Sequence, residues 1–440
     1  MTDNATEPVY YVISDLHIGG DEQLGEIDFL EELLAFLERL ETTDEPAELV
    51  INGDAFGLWE MTGTDGMAKF DRLTEWYPGL FEQLRATGGS IPITMLPGNH
   101  DHELAAYETY ADRLSAYNVD LVRSESVTRQ VGDRTIWFEH GNQRDSNNRF
   151  EDFGNRYETP LGYYYNTHVT SRAGRLSERG RFNWLKDVQA VTPTERVPHW
   201  LLSKYFYREM NPLLRYAVIP FLLVFNVSAF LAVTAGLDVI GIWTMPVERT
   251  DALLEQLGLV GEAVHFLLVL NAAVAGVLLL AGIPIYFVIR DIGTTVDRFG
   301  VFETDLTVDP ETPYIEAARE IFAEHPETAV FCYGHTHRPG ITEVDNRLLV
   351  NTGTWLKRLH RRDVITGVLP PVFYPSYQLC VVRISAVPGG VSVEFEEIEK
   401  ASPGGDEITR TERLLTLGRT PTPELPDRSI VTDERSGTEV

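Results

Sequence analysis

Residues 329–337 read Ala-Val-Phe-Cys-Tyr-Gly-His-Thr-His. An uncharged run that ends abruptly in a glycine and two histidines describes a buried strand with its polar residues gathered at the carboxyl end. The same grammar recurs four times upstream. Asp15 and His17 follow Tyr-Tyr-Val-Ile-Ser (10–14), and Gly53 and Asp54 follow Glu-Leu-Val-Ile-Asn (48–52). Gly98, Asn99, His100 and Asp101 follow Ile-Thr-Met-Leu-Pro (93–97), and His140 and Gly141 follow Thr-Ile-Trp-Phe-Glu (135–139). Ligands of open α/β sheets bind at the carboxyl ends of strands, so the five ends are expected to meet in one crevice.

The donor set is specific. Carboxylates, imidazoles and the Asn99 amide, with almost no sulfur, suit hard to borderline divalent metals. A turn directly after the first strand can bring Asp15 and His17 to one ion, and a carboxylate such as Asp54 can bridge two ions roughly 3.5–4 Å apart. Glycines 53, 98, 141 and 334 let the backbone turn sharply and approach a ligand closely.

Periodicity around these blocks predicts an α/β fold. Strands are expected at 9–14, 49–52, 91–96, 135–139, 328–333 and 347–351, and helices at 26–40, 67–84, 103–117 and 314–324. Residues 377–384 and 391–395 read as two antiparallel strands joined at Pro388-Gly389-Gly390. Four prolines (403, 421, 423, 426) amid mixed charge predict a disordered tail over 401–440.

The middle of the chain is different. Residues 216–237 and 263–289 carry no formal charge over 22 and 27 positions, each enough to cross a ~30 Å hydrocarbon layer. Nine basic and four acidic residues lie between Arg172 and Arg215, and Arg290 and Arg298 follow the second run. The connecting loop, 238–262, has five acids and only Arg249. That bias predicts a transmembrane helical hairpin with both ends in the cytoplasm. Trp200, Tyr205, Phe206, Tyr207, Tyr216, Tyr286 and Phe287 suit an interfacial belt or ordinary packing equally. The expected organisation is therefore a first catalytic part (1–150), a basic juxtamembrane insertion (151–215), the hairpin (216–290), a second catalytic part (291–400) and the tail. Two crossings are what the chemistry needs, because residues on both sides of the insertion must share one site.

Of 440 residues, 37 are basic and 66 acidic, a formal charge of −29. That argues against nucleic acid as a partner. With only five lysines it suggests a high-salt cytoplasm, where self-repulsion is screened. Cys332 and Cys380 are too few for a disulfide framework, and the acidic, polar start predicts no secretory signal.

As a set, Asp15-Leu-His17, Gly53-Asp54, Gly98-Asn-His-Asp101, His140-Gly141 and Gly334-His-Thr-His337 resemble the calcineurin-like metallophosphoesterase superfamily. The resemblance implies a two-sheet sandwich flanked by helices, here with the hairpin inserted. It implies two divalent ions, Mn²⁺ foremost and Fe or Zn as alternatives. Asp15, His17 and His337 would hold one ion and Asn99, His140 and His335 the other, with Asp54 bridging. It further implies attack of metal-bound hydroxide on phosphorus, with His100 as general acid and Asp101 orienting it. Asp101 reads equally as an N-cap of the helix that follows. Arg144 and Asn148, in the extension of the His140 block, are candidate phosphate contacts. The order of the blocks and Asn351-Thr-Gly-Thr-Trp355 are similar to UDP-2,3-diacylglucosamine diphosphatase and its relatives, which implies a phosphorylated small molecule or lipid as substrate and membrane lipids as neighbours. His100 stands where those enzymes carry arginine. The competing expectations are a tethered phosphodiesterase for soluble nucleotides and a membrane scaffold with a structural metal site.

Overall fold

A computed structural model describes residues 7–19, 27–171, 190–191, 196–215, 245–298, 311–365, 367, 369–400, 408–418 and 425–432, with scattered residues between 219 and 241. Strands β1 (Val9–Ile13), β2 (Ala47–Asn52), β3 (Ile93–Leu96) and β4 (Val119–Leu121) run parallel. On the far edge β12 (Leu379–Val387), β13 (Gly390–Ile398) and β14 (Ser429–Thr432) add antiparallel, completing a seven-stranded sheet in the order β14-β13-β12-β1-β2-β3-β4. A second sheet orders β5 (Ser126–Val131), β6 (Arg134–Glu139), β7 (Thr328–Tyr333), β9 (Arg347–Asn351) and β8 (Gly340–Val344). β10 (Arg358–Arg362) and β11 (Val372–Ser376) form a separate antiparallel ribbon.

Side-chain alternation along β1 explains why the sheets stack. Tyr10 and Val12 point into an apolar layer that holds Val50, Leu96, Phe138, Val330, Val350 and Val382 from both sheets. Val9, Tyr11 and Ile13 point the other way, onto helices Leu30–Glu41 and Pro78–Ser90. Helix Thr312–Glu324 covers the outer face of the second sheet through Tyr314, Ala317, Ala318 and Phe322. The α/β sandwich flanked by helices is thus present.

Several expectations need correction. The 67–84 helix is two, Ala68–Trp76 and Pro78–Ser90, because Pro78 lacks the N–H that would continue the first and instead opens the second. Glu103–Ala106 and Thr109–Ser115 likewise replace one helix over 103–117. The tail is not wholly disordered: Thr409 and Glu412 form a reciprocal capping box on helix Arg410–Leu415, and Ser429–Thr432 is an edge strand of the large sheet. Trp200, Phe206 and Tyr207 pack against the β10–β11 ribbon with Leu359, Phe373, Val372 and Tyr374, so they are core and not a belt.

Most of 216–237 lies outside the described residues. The loop 238–262 holds a helix, Met245–Gln256. The second run lies within a 40-residue helix, Leu259–Arg298. Among the described residues this helix alone is long and apolar enough to cross a membrane, over Leu259–Val277, and only 11% of that stretch is buried.

Candidate metal centre

β1, β2 and β3 are mutually parallel, as are β6 and β7, so five polar turns leave one edge of the sandwich. Asn52 ties the two sheets there, its Nδ2 donating to the Glu139 carbonyl at 2.9 Å. Among the described residues, five of the nine non-glycine residues with positive φ are Asp15, His17, Asp54, His335 and His337. A left-handed backbone is strained for such residues and persists where the surrounding fold demands it. Here it turns each chain end back so that alternate side chains reach one centre.

The resulting geometry has two halves. Asp15, His17 and His337 form one group: His337 Nε2 lies 3.1 Å from Asp15 Oδ1 and 3.2 Å from His17 Nε2. Asp54, His140 and His335 form the other. One oxygen, Asp54 Oδ2, faces both, at 3.7 Å from His17 Nε2 and 3.1 Å from His140 Nε2. The His140 Nδ1–H donates to the Asn52 carbonyl at 3.0 Å, which leaves Nε2 for the centre. Asn99 Oδ1 is buried with no hydrogen-bond partner. Burial opposes ionisation of Asp54, but the imidazoles of His140 and His100 hold its carboxyl well below the usual range. Gly98 and Gly334 are required by proximity: a Cβ on either would collide with the carboxylates of Asp54 and Asp15 respectively. The stretch Asn351–Trp355 braces this edge, Thr352 Oγ1 meeting Ser14 Oγ at 2.6 Å and Thr354 Oγ1 donating to the Asp15 carbonyl at 2.7 Å.

His100 stands at the mouth between the rings of His17 and Trp59, at 4.5 and 4.6 Å. Its Nδ1 is held by Glu60 Oε1 at 2.6 Å. Burial disfavours its charged form, yet Glu60 and Asp54 outweigh it and lift the imidazole to about 9. Asp101 does neither of the things expected of it. Its carboxylate accepts the backbone N–H groups of Gly98 and Phe56, at 2.6 and 3.1 Å, pinning the Asn99 turn to the Asp54 turn, and no side-chain cap closes the following helix. Arg144 is committed elsewhere, with Nε and Nη2 on the Glu139 carboxylate at 2.9 and 3.2 Å. Asn148 donates to Asp145 at 2.6 Å and accepts from Asn99 Nδ2 at 3.5 Å, so it supports the centre from behind.

Two residues escaped the sequence reading. Glu60 lies six positions beyond Asp54 in a loop with no period to mark it. Asp145, three positions beyond Asn142, meets His335 Nε2 at 3.0 Å. Its signal was the density of polar residues after His140.

Residues 9–231 match the profile of the calcineurin-like phosphoesterases. No curated protein sequence matches the chain. Among solved structures, the chain is similar to a conserved Streptococcus pneumoniae protein described as a predicted phosphoesterase, at 10% identity over 90% of this chain and 94% of that one, with a TM-score of 0.27. It is also similar to the phosphopantetheinyl hydrolase of Mycobacterium tuberculosis, at 14% identity over 80% and 91%, with a TM-score of 0.24.

Proposed function

This chain belongs to the calcineurin-like phosphoesterase family and is a metal-dependent phosphoesterase; within that activity, we propose that it cleaves a phosphoester or diphosphate bond of a lipid-linked substrate at a two-metal centre held against a membrane. The observation that carries the two-metal reading is the single oxygen Asp54 Oδ2 facing imidazole nitrogens of both groups. The orphaned Asn99 Oδ1 and the convergent nitrogen and oxygen donors fit divalent cations. Asp15, His17 and His337 would hold one, and Asn99, His140 and His335 the other, with Asp54 shared; Mn²⁺ is our first choice. Such ions supply Lewis acidity to a phosphoryl oxygen and make water acidic enough to attack at neutral pH.

The rest is done by the protein. Glu60 fixes His100 through Nδ1, which leaves Nε2 as the nitrogen that gives a proton to the departing oxygen. Trp59 and Tyr163, whose rings meet at 5.6 Å, wall the mouth on that side and limit water. A panel of p-nitrophenyl phosphate mono- and diesters and cyclic nucleotides, assayed with Mn²⁺, Fe²⁺ and Zn²⁺ after chelator treatment, tests this. Turnover that is lost with chelator and restored by a divalent ion is expected. Failure of every ion to support hydrolysis of any ester would leave a scaffold.

The exposed apolar helix Leu259–Arg298 and the basic stretch 172–215 support anchoring in the cell membrane with the catalytic sandwich on the cytoplasmic side. The order of the sequence blocks and Asn351–Trp355 support a substrate class like that of the UDP-2,3-diacylglucosamine diphosphatases. A lipid-borne phosphate is then hydrolysed faster in bilayers than when dispersed, and equal rates in the two presentations would remove the membrane from the account.

A further inference from the structure

The two oxygens of the Glu60 carboxylate have different company. Oε1 meets His100 Nδ1 at 2.6 Å and accepts from Asn166 Nδ2 at 2.9 Å, whereas Oε2 is buried with no hydrogen-bond partner. Glu60 is only 2% exposed, so bulk water does not replace either bond. A carboxylate held by one donor is free to turn about its last bond. The second donor, Asn166, decides which oxygen faces His100 and where that oxygen stands. Its own amide is oriented in turn, because Ser171 Oγ donates to Asn166 Oδ1 at 3.4 Å and leaves Nδ2 for Glu60.

Asn166 opens the π-helical turn Asn166–Thr170, which continues helix Leu161–Tyr165. Such turns recur at functional sites. The same element reaches His100 by a second path. Tyr163 lies three positions before Asn166, on the same helical face. Its ring meets Trp59 edge-on at 5.6 Å, and Trp59 lies 4.6 Å from the His100 ring. Thr167 Oγ1 donates to the Tyr163 carbonyl at 2.7 Å and steadies that arm. Gly162 sets where the element docks: its N–H donates to the Asn147 carbonyl at 2.8 Å, and a Cβ there would collide with the Asn148 side chain. His100 is thus gripped at its Nδ1 edge and on its ring face, and one helical element backs both grips. Misplacing a proton donor by about 1 Å can cost on the order of 10² in rate, so such backing matters to the reaction.

We infer that Asn166 is a positioning residue for the proton donor: with Tyr163 it fixes Glu60 and Trp59, and through them the direction of His100 Nε2. The inference rests on the reading of His100 as general acid. It gives the Leu161–Thr170 element a task that shows only when the departing oxygen needs a proton. The test compares p-nitrophenyl phosphate, whose leaving group departs without one, with an alkyl phosphate ester, whose alkoxide does not. In full-length, Mn²⁺-loaded protein, Asn166→Ala should lower kcat for the alkyl ester about tenfold more than for p-nitrophenyl phosphate, the loss of a hydrogen bond to a charged group, with KM for each ester much less affected. Asn166→Asp keeps the shape but cannot donate, and should lose at least as much; a residue that merely fills space would be rescued by it. Added to His100→Ala, Asn166→Ala should cost nothing further, because the group it positions is gone. Equal fractional losses for the two esters, recovery in Asn166→Asp, or a full extra loss on the His100→Ala background would each overturn the inference and leave the phosphoesterase reading standing. That reading fails separately, and takes this inference with it, if the wild-type protein turns over neither ester.

Discussion

Helix Thr312–Glu324 buries Tyr314, Ala317, Ala318, Ile321 and Phe322 and leaves Glu316, Arg319, Glu320 and Glu324 in water. Helix Leu259–Arg298 leaves Leu259, Phe266, Val269, Val277, Leu280 and Phe287 more than half exposed. The first has one apolar stripe, and a sheet that bears His335 and His337 at its strand end covers it. The second is uncharged from 263 to 289, and among its described residues only 11% of the Leu259–Val277 stretch is buried. An amphipathic helix is completed by its own fold, whereas a helix apolar all round needs apolar surroundings. The contrast teaches that the candidate site is built by the self-sufficient half of the molecule, while the described part of the inserted half presents apolar surface and supplies no residue to that site.

The largest effect should fall within the sandwich. His100→Ala should lower kcat for an alkyl phosphate ester, whose alkoxide needs a proton to depart, by about 10²–10⁴, the usual contribution of a positioned general acid, while metal content stays as in wild type. An undiminished kcat would put the departing oxygen out of reach of His100. Next comes packing. Phe322→Ala should destabilise the sandwich by about 3–5 kcal/mol in chemical unfolding, whereas Leu280→Ala, on the exposed helix, should leave that transition in place. Equal losses would mean that Leu280 is packed in a core, and the contrast between the helices would collapse.

A smaller effect probes the inserted half directly. Val269 is 54% exposed. Lysine there costs little on a water-facing helix, but about 2.5–3.5 kcal/mol near the centre of a bilayer. Val269→Lys should therefore shift the protein out of the membrane fraction, read by flotation with vesicles, without changing turnover of a soluble ester. Unaltered flotation would show that this helix meets no hydrocarbon.

The strand ends were legible because each is an apolar run interrupted at once by Asp, His or Asn, and a buried strand offers few other readings. Helix Thr312–Glu324 was legible for the same reason, its apolar positions recurring at helical spacing. What the strands deliver was harder to read. Asp101 stands next to His100 in sequence, yet the turn sends its carboxylate back to the backbone of Gly98 and Phe56. Glu60 is 40 positions away and arrives only because the loop after Asp54 folds over the mouth. Ser429–Thr432 joins the sheet by backbone hydrogen bonds along β13, which a four-residue run among prolines does not advertise. The ribbon β10–β11 is unmarked for a related reason: Arg358–Arg362 has a single apolar residue, Leu359, and finds its partner Val372–Ser376 only in the fold.

Glu60 supplies the finest test of the self-sufficient half. It touches no reacting atom and acts through His100, so its removal should leave metal binding intact. Glu60→Gln keeps the size and one hydrogen bond but deletes the charge that helps lift the His100 imidazole above its ordinary value. The sign follows directly. A general acid works only while protonated, so activity persists below the His100 pKa and fades above it; lowering that pKa moves the alkaline fall of kcat/KM to lower pH. The loss at neutral pH should be about tenfold, near the lower end for a hydrogen bond to a charged group. A profile that drops in height without moving along the pH axis would assign Glu60 to packing alone, and would leave the charge of His100 to Asp54.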